Sequence, residues 1–381
     1  IRVAGPMKKI GVETRAFVED ASLTVGFINT TYSFSDSIFV TPQYVAFRNV
    51  KVTDKEGNTG VVDGLLKHDY FKNMETQIDI TVNRMMAMNL PATPNALFYG
   101  TAYATGTVNI SGPQNNTTID VNVRTEDRTK VAISLMEASQ DQDYNFIQFV
   151  NFNNRRLQER NRTSTARRGL RTQRSDEQSN LTVNLQIEAT PSAELTLITD
   201  PNSGDEIKSR GTGAIRAVFN NENELSLFGR YTIDQGSYKF VYENLIRRDF
   251  SIVRGSNITF SGDPFTAQLD ITANHTVDAQ LADLISTAEL ASLNLTKNSI
   301  PVNCVLMLGG DLQRPDIRLD LSYPSADDEL VRRLKNVINT DEMLNQQLVY
   351  LLLFGRFNSP STITTAGQSN MSSVLNTAIS T

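Results

Sequence analysis

A chain of 381 residues with 39% hydrophobic content can build a large core and exceeds one ordinary compact domain, so several domains or one elongated repeat is expected. Its single cysteine, Cys304, excludes an internal disulfide framework and a cysteine-based zinc site, and His68 and His275 stand far apart, so neither a metal nor a cofactor is expected. The net charge of −6 is mild, no apolar run approaches the ~20 residues of a membrane helix, and the start at Ile1, without an initiator methionine or a signal region, reads as a fragment or processed product.

The dominant pattern along the chain is apolar and polar residues in alternation, the period of a strand with one buried face. It begins clearly at Ile78, Ile80 and Val82, and continues at Val108 and Ile110 and at Ile119, Val121 and Val123. Turn signals separate these runs: Asp54-Lys-Glu-Gly-Asn58 and Gly112-Pro-Gln-Asn-Asn116. The Asp54 stretch superficially resembles a calcium loop but lacks its alternating acids and distal glutamate, so a hairpin turn is expected there.

Between Asn153 and Arg174 stand eight arginines (155, 156, 160, 162, 167, 168, 171, 174) against one acid, Glu159, which makes this segment +7 and leaves the remainder at −13. Such a cluster could meet phospholipid headgroups, nucleic acid or an acidic partner. With Asn, Ser, Thr and Gln around it, no apolar stripe and no interleaved aromatics, a solvated loop is expected and nucleic acid is not. Alternation then resumes at Leu181, Val183, Leu185, Ile187 and Ala189, with Thr182, Asn184, Gln186 and Glu188 between them. Further runs follow at Ile215, Ala217 and Phe219, at Ala267, Leu269, Ile271 and Ala273, at Cys304, Leu306 and Leu308, and at Ile317, Leu319 and Leu321, with turns at Asn220-Asn-Glu-Asn223 and Ser261-Gly-Asp-Pro264. Cys304 reads as an inward-facing strand residue, and His275 as a rim or groove side chain.

Near residue 325 the period changes. Ser325-Ala-Asp-Asp328 resembles a capping box, with Leu330, Leu334, Val337 and Ile338 on one helical face, and Thr340 can cap a second helix carrying Leu344, Leu348 and Leu351. This pair is expected to form a lid, with contact at a membrane interface as the alternative.

Roughly sixteen to twenty strands, each apolar on one side, with almost no helix to cover them, require a sheet that folds upon itself. A two-sheet sandwich, a parallel β-helix and an open U-shaped groove all satisfy this, and alternation alone does not separate them. If sixteen strands ran across a long axis, the element would extend about 75 Å.

Five blocks carry a family resemblance: Gly229-Arg-Tyr-Thr-Ile-Asp-Gln-Gly236-Ser-Tyr238, Phe250-Ser-Ile252, Ile258-Thr-Phe-Ser-Gly-Asp-Pro264, Leu308-Gly-Gly-Asp-Leu312 with Pro315-Asp-Ile317, and Leu351-Leu-Leu-Phe-Gly-Arg-Phe357. In order and spacing they resemble the C-terminal domain of TamB proteins, the translocation and assembly module. Asp54 to Gly64 and Phe98 to Ala102 resemble the Bacteroidetes-type version, extending the likeness over about residues 30 to 357. The arginine insertion is not part of that pattern.

The resemblance implies an all-β fold, an elongated antiparallel β-taco (a U-shaped sheet with an apolar groove) followed by a short C-terminal helical segment. The expected division is a β-groove domain over 1–324, with an Arg-rich flexible insertion over 152–178, a helical lid over 325–357 and a polar, poorly ordered tail over 358–381. It further implies a periplasmic bridge in a Gram-negative bacterium, in a longer parent anchored in the inner membrane. The implied partners are a TamA-like outer-membrane barrel with POTRA domains and the acyl chains of phospholipids. The residues expected to line the groove are Leu181, Val183, Leu185, Ile187, Leu269, Ile271, Ala273, Ile317, Leu319 and Leu321; without the resemblance they would read as the core of a closed sandwich. A docking scaffold for outer-membrane strands is the rival function, and a carbohydrate-active enzyme on a β-helix is the more distant one. No nucleophile elbow, phosphate loop or zinc-protease pair occurs, and no catalytic residue is expected.

Overall fold

The computed structural model describes residues 2–4, 11–70, 72–93, 96, 98–134, 180–200, 204–219, 225–242, 246–286, 289–290, 299–312 and 314–359. The arginine-rich segment, the turn at 220–223 and the tail from 360 lie outside the described residues. Among the described residues eighteen strands are formed: β1 (Arg2–Ala4), β2 (Gly11–Val25), β3 (Thr30–Val40), β4 (Tyr44–Thr53), β5 (Thr59–Asp69), β6 (Lys72–Leu90), β7 (Phe98–Pro113), β8 (Asn116–Thr125), β9 (Lys130–Ser134), β10 (Asn180–Ala189), β11 (Glu194–Asp200), β12 (Asp205–Phe219), β13 (Leu225–Tyr242), β14 (Ile246–Ile252), β15 (Asn257–Gly262), β16 (Gln268–Gln280), β17 (Ser299–Asp311) and β18 (Arg314–Ser322). Two helices follow, α1 (Asp328–Val337) and α2 (Asp341–Phe354). The Asp54 and Gly112 stretches form the expected β4–β5 and β7–β8 turns.

All eighteen strands belong to one sheet, in which β8 with β9, β10 with β11, and β14 with β15 each share a single position, leaving fifteen ranks. At strand spacing the fifteen ranks stack to about 67 Å. Every pairing is antiparallel except β8 with β10 and β9 with β11, which run parallel. The reason is topological. Ser134 leaves at one end of its rank and Asn180 enters at the other, beside Asn116, so the chain re-enters the sheet running in the same direction and the pair is parallel.

Strands bend where a bulge interrupts the ladder, and three bulges here share one geometry. Glu19-Asp20 faces the single residue Ser35, Arg48-Asn49 faces Asp63, and Asn83-Arg84 faces Thr105. In each case the second bulge residue has φ near +50°. Its freed amide donates to the side chain opposite: Asp20 N to Ser35 Oγ (2.9 Å), Asn49 N to Asp63 Oδ1 (2.8 Å) and Arg84 N to Thr105 Oγ1 (2.9 Å). From Arg84 the crease continues through the β8–β9 and β10–β11 breaks, where Thr190 Oγ1 donates to Thr125 O (2.9 Å), to the extra residue Asp234 of β13 and the β14–β15 break. Each long rank is thereby divided into two walls. The first contains β6 up to Val82, β8, β10, β12 from Gly211 and β15; the second contains β6 from Met85, β9, β11, β12 up to Arg210 and β14.

One contact set ties a turn across this crease. The Asp54 carboxylate accepts from the amides of Glu56 (2.9 Å), Asn58 (2.9 Å) and Met86 (2.8 Å) and from Asn58 Nδ2 (2.8 Å). It thus supplies the acceptor that β6 lacks where β5 ends, and its lone pairs are occupied, which disposes of the calcium-loop likeness. Glu56 accepts from Tyr103 Oη (2.7 Å) and Arg128 (2.7 Å), whose guanidinium lies 4.2 Å from the Tyr103 ring centre. Burial raises the Asp54 pKa, but the hydrogen bonds from Met86, Asn58 and Glu56 outweigh it and hold it below the usual carboxylate range. Because the folded value is depressed, the stabilisation is complete above the unfolded value of about 4 and disappears as pH falls through the folded one. Asp54→Asn is expected to lower stability by about 1–2 kcal/mol at neutral pH. The gap to the parent should narrow as pH falls below the usual carboxylate range in parallel urea titrations; a pH-independent gap would mean that the charge is irrelevant.

The helices start where their caps dictate. Asp327, rather than Ser325, caps α1, its carboxylate accepting from Leu330 N at 2.8 Å, because one residue of extended backbone at Asp327 puts the oxygen over the first turn. Thr340 caps α2 as expected, accepting from Met343 N at 3.2 Å. At the far end Gly355 is left-handed (φ 67°) and its amide bonds Leu351 O at 3.0 Å. The chain then turns back: Asn358 exchanges two buried hydrogen bonds with Gln347 (2.7 and 3.0 Å), which seats Phe357 at 1% exposure.

Candidate functional site

The register places the apolar positions of successive strands in rows that run across them. One row is Gly64, Ile78, Ile110, Ile119, Val183, Phe219 and Leu225. The next is Val62, Ile80, Val108, Val121, Leu185, Ala217 and Leu227. A third holds Val82, Gly106, Val123, Ile187, Ile215, Gly229 and Phe260. In this row Gly106 (φ 155°) and Gly229 (φ 123°) lie so close to Asn122 O and Ala214 O that a side chain would strike the neighbouring strand. The second wall carries its own row, Phe98, Ile133, Leu197, Ile207, Tyr238 and Phe250.

The opposite face is polar. Asp79, Asn109, Asp120 and Asn184 stand side by side, with Asn109 Nδ2 donating to Asp79 (2.8 Å) and Asn184 Nδ2 to Asp120 (2.7 Å). Opposed like charges are avoided by alternating Asp with Asn, a cross-strand arrangement that suits a solvated surface. A shallow hollow of about 350 Å³ is lined by these four residues and also by Ile80, Val108 and Val121.

Burial divides the apolar face into two regions. On the first wall from β6 to β10 it is half-buried: Ile78, Ile80, Val82, Ile119, Val121 and Val123 stay partly accessible, and so do Leu181, Val183, Leu185 and Ile187, whereas Met85, Ala104 and Ala132 beyond the crease are buried. From β12 onward the walls meet in a closed core. Ile207, Ile233, Phe250, Ile258 and Leu306 are fully buried there, and Leu334 of α1 and Leu348 of α2 belong to the same cluster. α2 packs on β14, β17 and β18. The first wall is therefore an open trough from β6 to β10, while Ala46, Val50 and Met85 are buried elsewhere in the N-terminal half and the C-terminal half is sealed under two helices.

The expected lining residues fall on both sides of this division. Leu181, Val183, Leu185 and Ile187 line the open region. Leu269 (5% exposed), Ile271 (1%), Ala273 (0%) and Leu321 (7%) are inside the sealed core. Ile317 and Leu319 share the face of Leu321, but exposure rises along β18 until Ile317 is 51% exposed. Sequence reasoning omitted the second wall, Phe98, Ile133, Leu197, Ile207 and Tyr238, whose runs are short and interrupted by the crease.

His275 and Cys304 are direct partners in the β16–β17 register. They do not form a nucleophilic pair. Burial alone pushes the Cys304 thiol up to about 12, and His275 Nδ1 is engaged with Asp249 O at 3.0 Å. No helix among the described residues is long and apolar enough to cross a membrane.

The blocks that carry the family likeness have definite places in this architecture. Tyr231, Tyr238, Phe250, Ile258, Leu308, Leu312 and Phe357 are all buried in the sealed region, and Gly355 ends α2. No curated protein matches the chain. The model of the TamB C-terminal domain matches residues 48–381, starting later than the likeness read from the blocks and running on through the tail. With a match over most of its length, on an all-β sheet that ends in two short helices, this chain belongs to the TamB C-terminal domain family.

Proposed function

We propose that this segment carries phospholipid acyl chains along the half-buried apolar face between β6 and β12, without catalytic chemistry. Membership of the TamB family carries a role in outer-membrane assembly or transport in the Gram-negative envelope, and TamB proteins are not known as enzymes. The observation that supports a lipid cargo is the set of three adjacent apolar rows that, apart from the buried Ala217, stay partly accessible to solvent. The first of them crosses seven strands, about 29 Å at strand spacing. An acyl chain gains ~0.8 kcal/mol per buried methylene, so a sixteen-carbon chain is worth roughly 12 kcal/mol as an upper bound, and movement through water is prohibitive. A trough exchanges one apolar contact for the next while the headgroup remains in solvent, and no bond is made or broken. In this reading the segment is part of a periplasmic bridge in an inner-membrane-anchored parent, delivering lipid toward a TamA-like barrel with POTRA domains.

A docking scaffold is the second reading. It is favoured by β18, which pairs with β17 alone among the described residues and so offers a free edge for strand addition. Mass spectrometry of lipids that co-purify with the chain separates the two. Stoichiometric phospholipid is expected for the trough, whereas lipid-free protein that still binds strand peptides would replace it with the scaffold.

A further inference from the structure

The trough is blocked along its axis and bridged across its mouth. Beyond β12 the walls close on Ile233, Phe250 and Ile258, so an acyl chain has no continuation toward β18. Just before this seal the turn between β2 and β3 reaches over the opening. Its Phe27 ring lies 6.4 Å, centre to centre, from that of Phe219, the last residue of β12 and a member of the first apolar row. Along the sheet β3 and β12 are seven steps apart, about 34 Å at strand spacing. The contact therefore crosses the curled sheet instead of running over its surface.

The turn is fastened to the opposite wall. Asn89 N donates to Ile28 O (2.9 Å), Asn29 Nδ2 to Asn89 O (2.7 Å) and Tyr32 Oη to Met86 O (2.9 Å), all on the part of β6 beyond its crease. Among the described residues, a turn bonded to one wall thus touches the tip of the other through the Phe27 ring, which is 45% exposed. An aromatic contact of this kind shifts an opening equilibrium by a factor of about two to ten, weak enough to release and re-form.

We propose that Phe27 and Phe219 form a clasp over the trough and, on the reading that the trough carries acyl chains, that these enter and leave sideways through the opening that the clasp closes. The sealed region is then a stop that turns lipid outward, and the clasp sets the rate at which it leaves.

The test uses the whole chain, loaded with a fluorescent phospholipid, and follows release to acceptor vesicles of phosphatidylethanolamine and phosphatidylglycerol. In a Phe27→Cys/Phe219→Cys variant, a cleavable bifunctional thiol reagent would join the two walls; the native Cys304 is fully buried and stays unlabelled. The tether is expected to slow release at least tenfold with lipid still bound, and cleavage to restore the rate. Phe27→Ala, on an exposed turn, is expected to release two- to tenfold faster. Unchanged rates in both variants, or in Phe27→Ala alone if the double variant does not load, would overturn the clasp while leaving the lipid cargo intact. An unmodified chain that takes up no phospholipid would overturn the cargo reading and the clasp with it.

Discussion

Leu185→Asp is expected to strip phospholipid from a chain that remains folded. Leu185 sits in the middle of the central apolar row, between Val121 and Ala217, and is half-buried, so a carboxylate there stays hydrated in the empty protein. Cargo changes the balance, because an acyl chain in the row must either desolvate the charge, at several kcal/mol, or stop short of it. Since 1.4 kcal/mol is a factor of ten in occupancy, at least a tenfold loss of bound lipid is expected. The control is Gln186→Glu, which puts the same charge on the next residue of the same strand but on the solvated face. Its lipid content should match the parent, with circular dichroism and melting curves establishing the fold of both. Parent-like lipid in a folded Leu185→Asp protein would remove the trough as the carrier.

The second large effect is on stability. Ile271→Asp, equally apolar-to-acidic on an equally alternating strand, is expected to unfold the C-terminal half rather than to empty a groove. Ile271 is 1% exposed and pairs with Leu308 of β17 in the closed cluster. Truncation to alanine alone should cost about 2–5 kcal/mol. The unpaired carboxylate adds the penalty of a buried charge, which exceeds what a marginally stable fold tolerates. Denaturant titration of Ile271→Ala against Leu185→Ala measures the contrast, with a cost at Leu185 under half that at Ile271. Equal and small costs at the two positions would mean that solvent reaches Ile271 and that the trough is open along its whole length.

Much of this architecture is legible in the residues. Alternation from Leu181 to Ala189 specifies a strand with Leu185 on one face and Gln186 on the other, since side chains of an extended chain point alternately to either side. The Asp54 and Gly112 stretches mark hairpin turns because Gly and Asn adopt the backbone that such turns need. Thr340 marks a helix start because its hydroxyl can take up an amide left free in the first turn. The Asp327 cap was displaced by two residues in the sequence reading, since Ser325 and Asp327 offer the same chemistry and the backbone chooses between them.

The distinction that matters for function was not legible. Leu185 and Ile271 carry the same local signal, yet one is half-buried in an open trough and the other is sealed. Alternation reports which side of a strand is apolar and nothing about what covers it. The second wall was hidden for a related reason: its strands β9, β11 and β14 are only 5, 7 and 7 residues long, and the extra residue Asp234 shifts the side-chain phase within β13, so the period-two pattern breaks where the sheet bends. The parallel joint of β8 with β10 followed only from where the chain re-enters the sheet after residue 179. The sequence by itself determined the alternating strands of the first wall, their apolar side, the Asp54 and Gly112 turns and the family. The tertiary structure decided which strands meet, where the sheet creases and which end is sealed, because those depend on contacts between residues up to two hundred positions apart, and a local period carries no record of them.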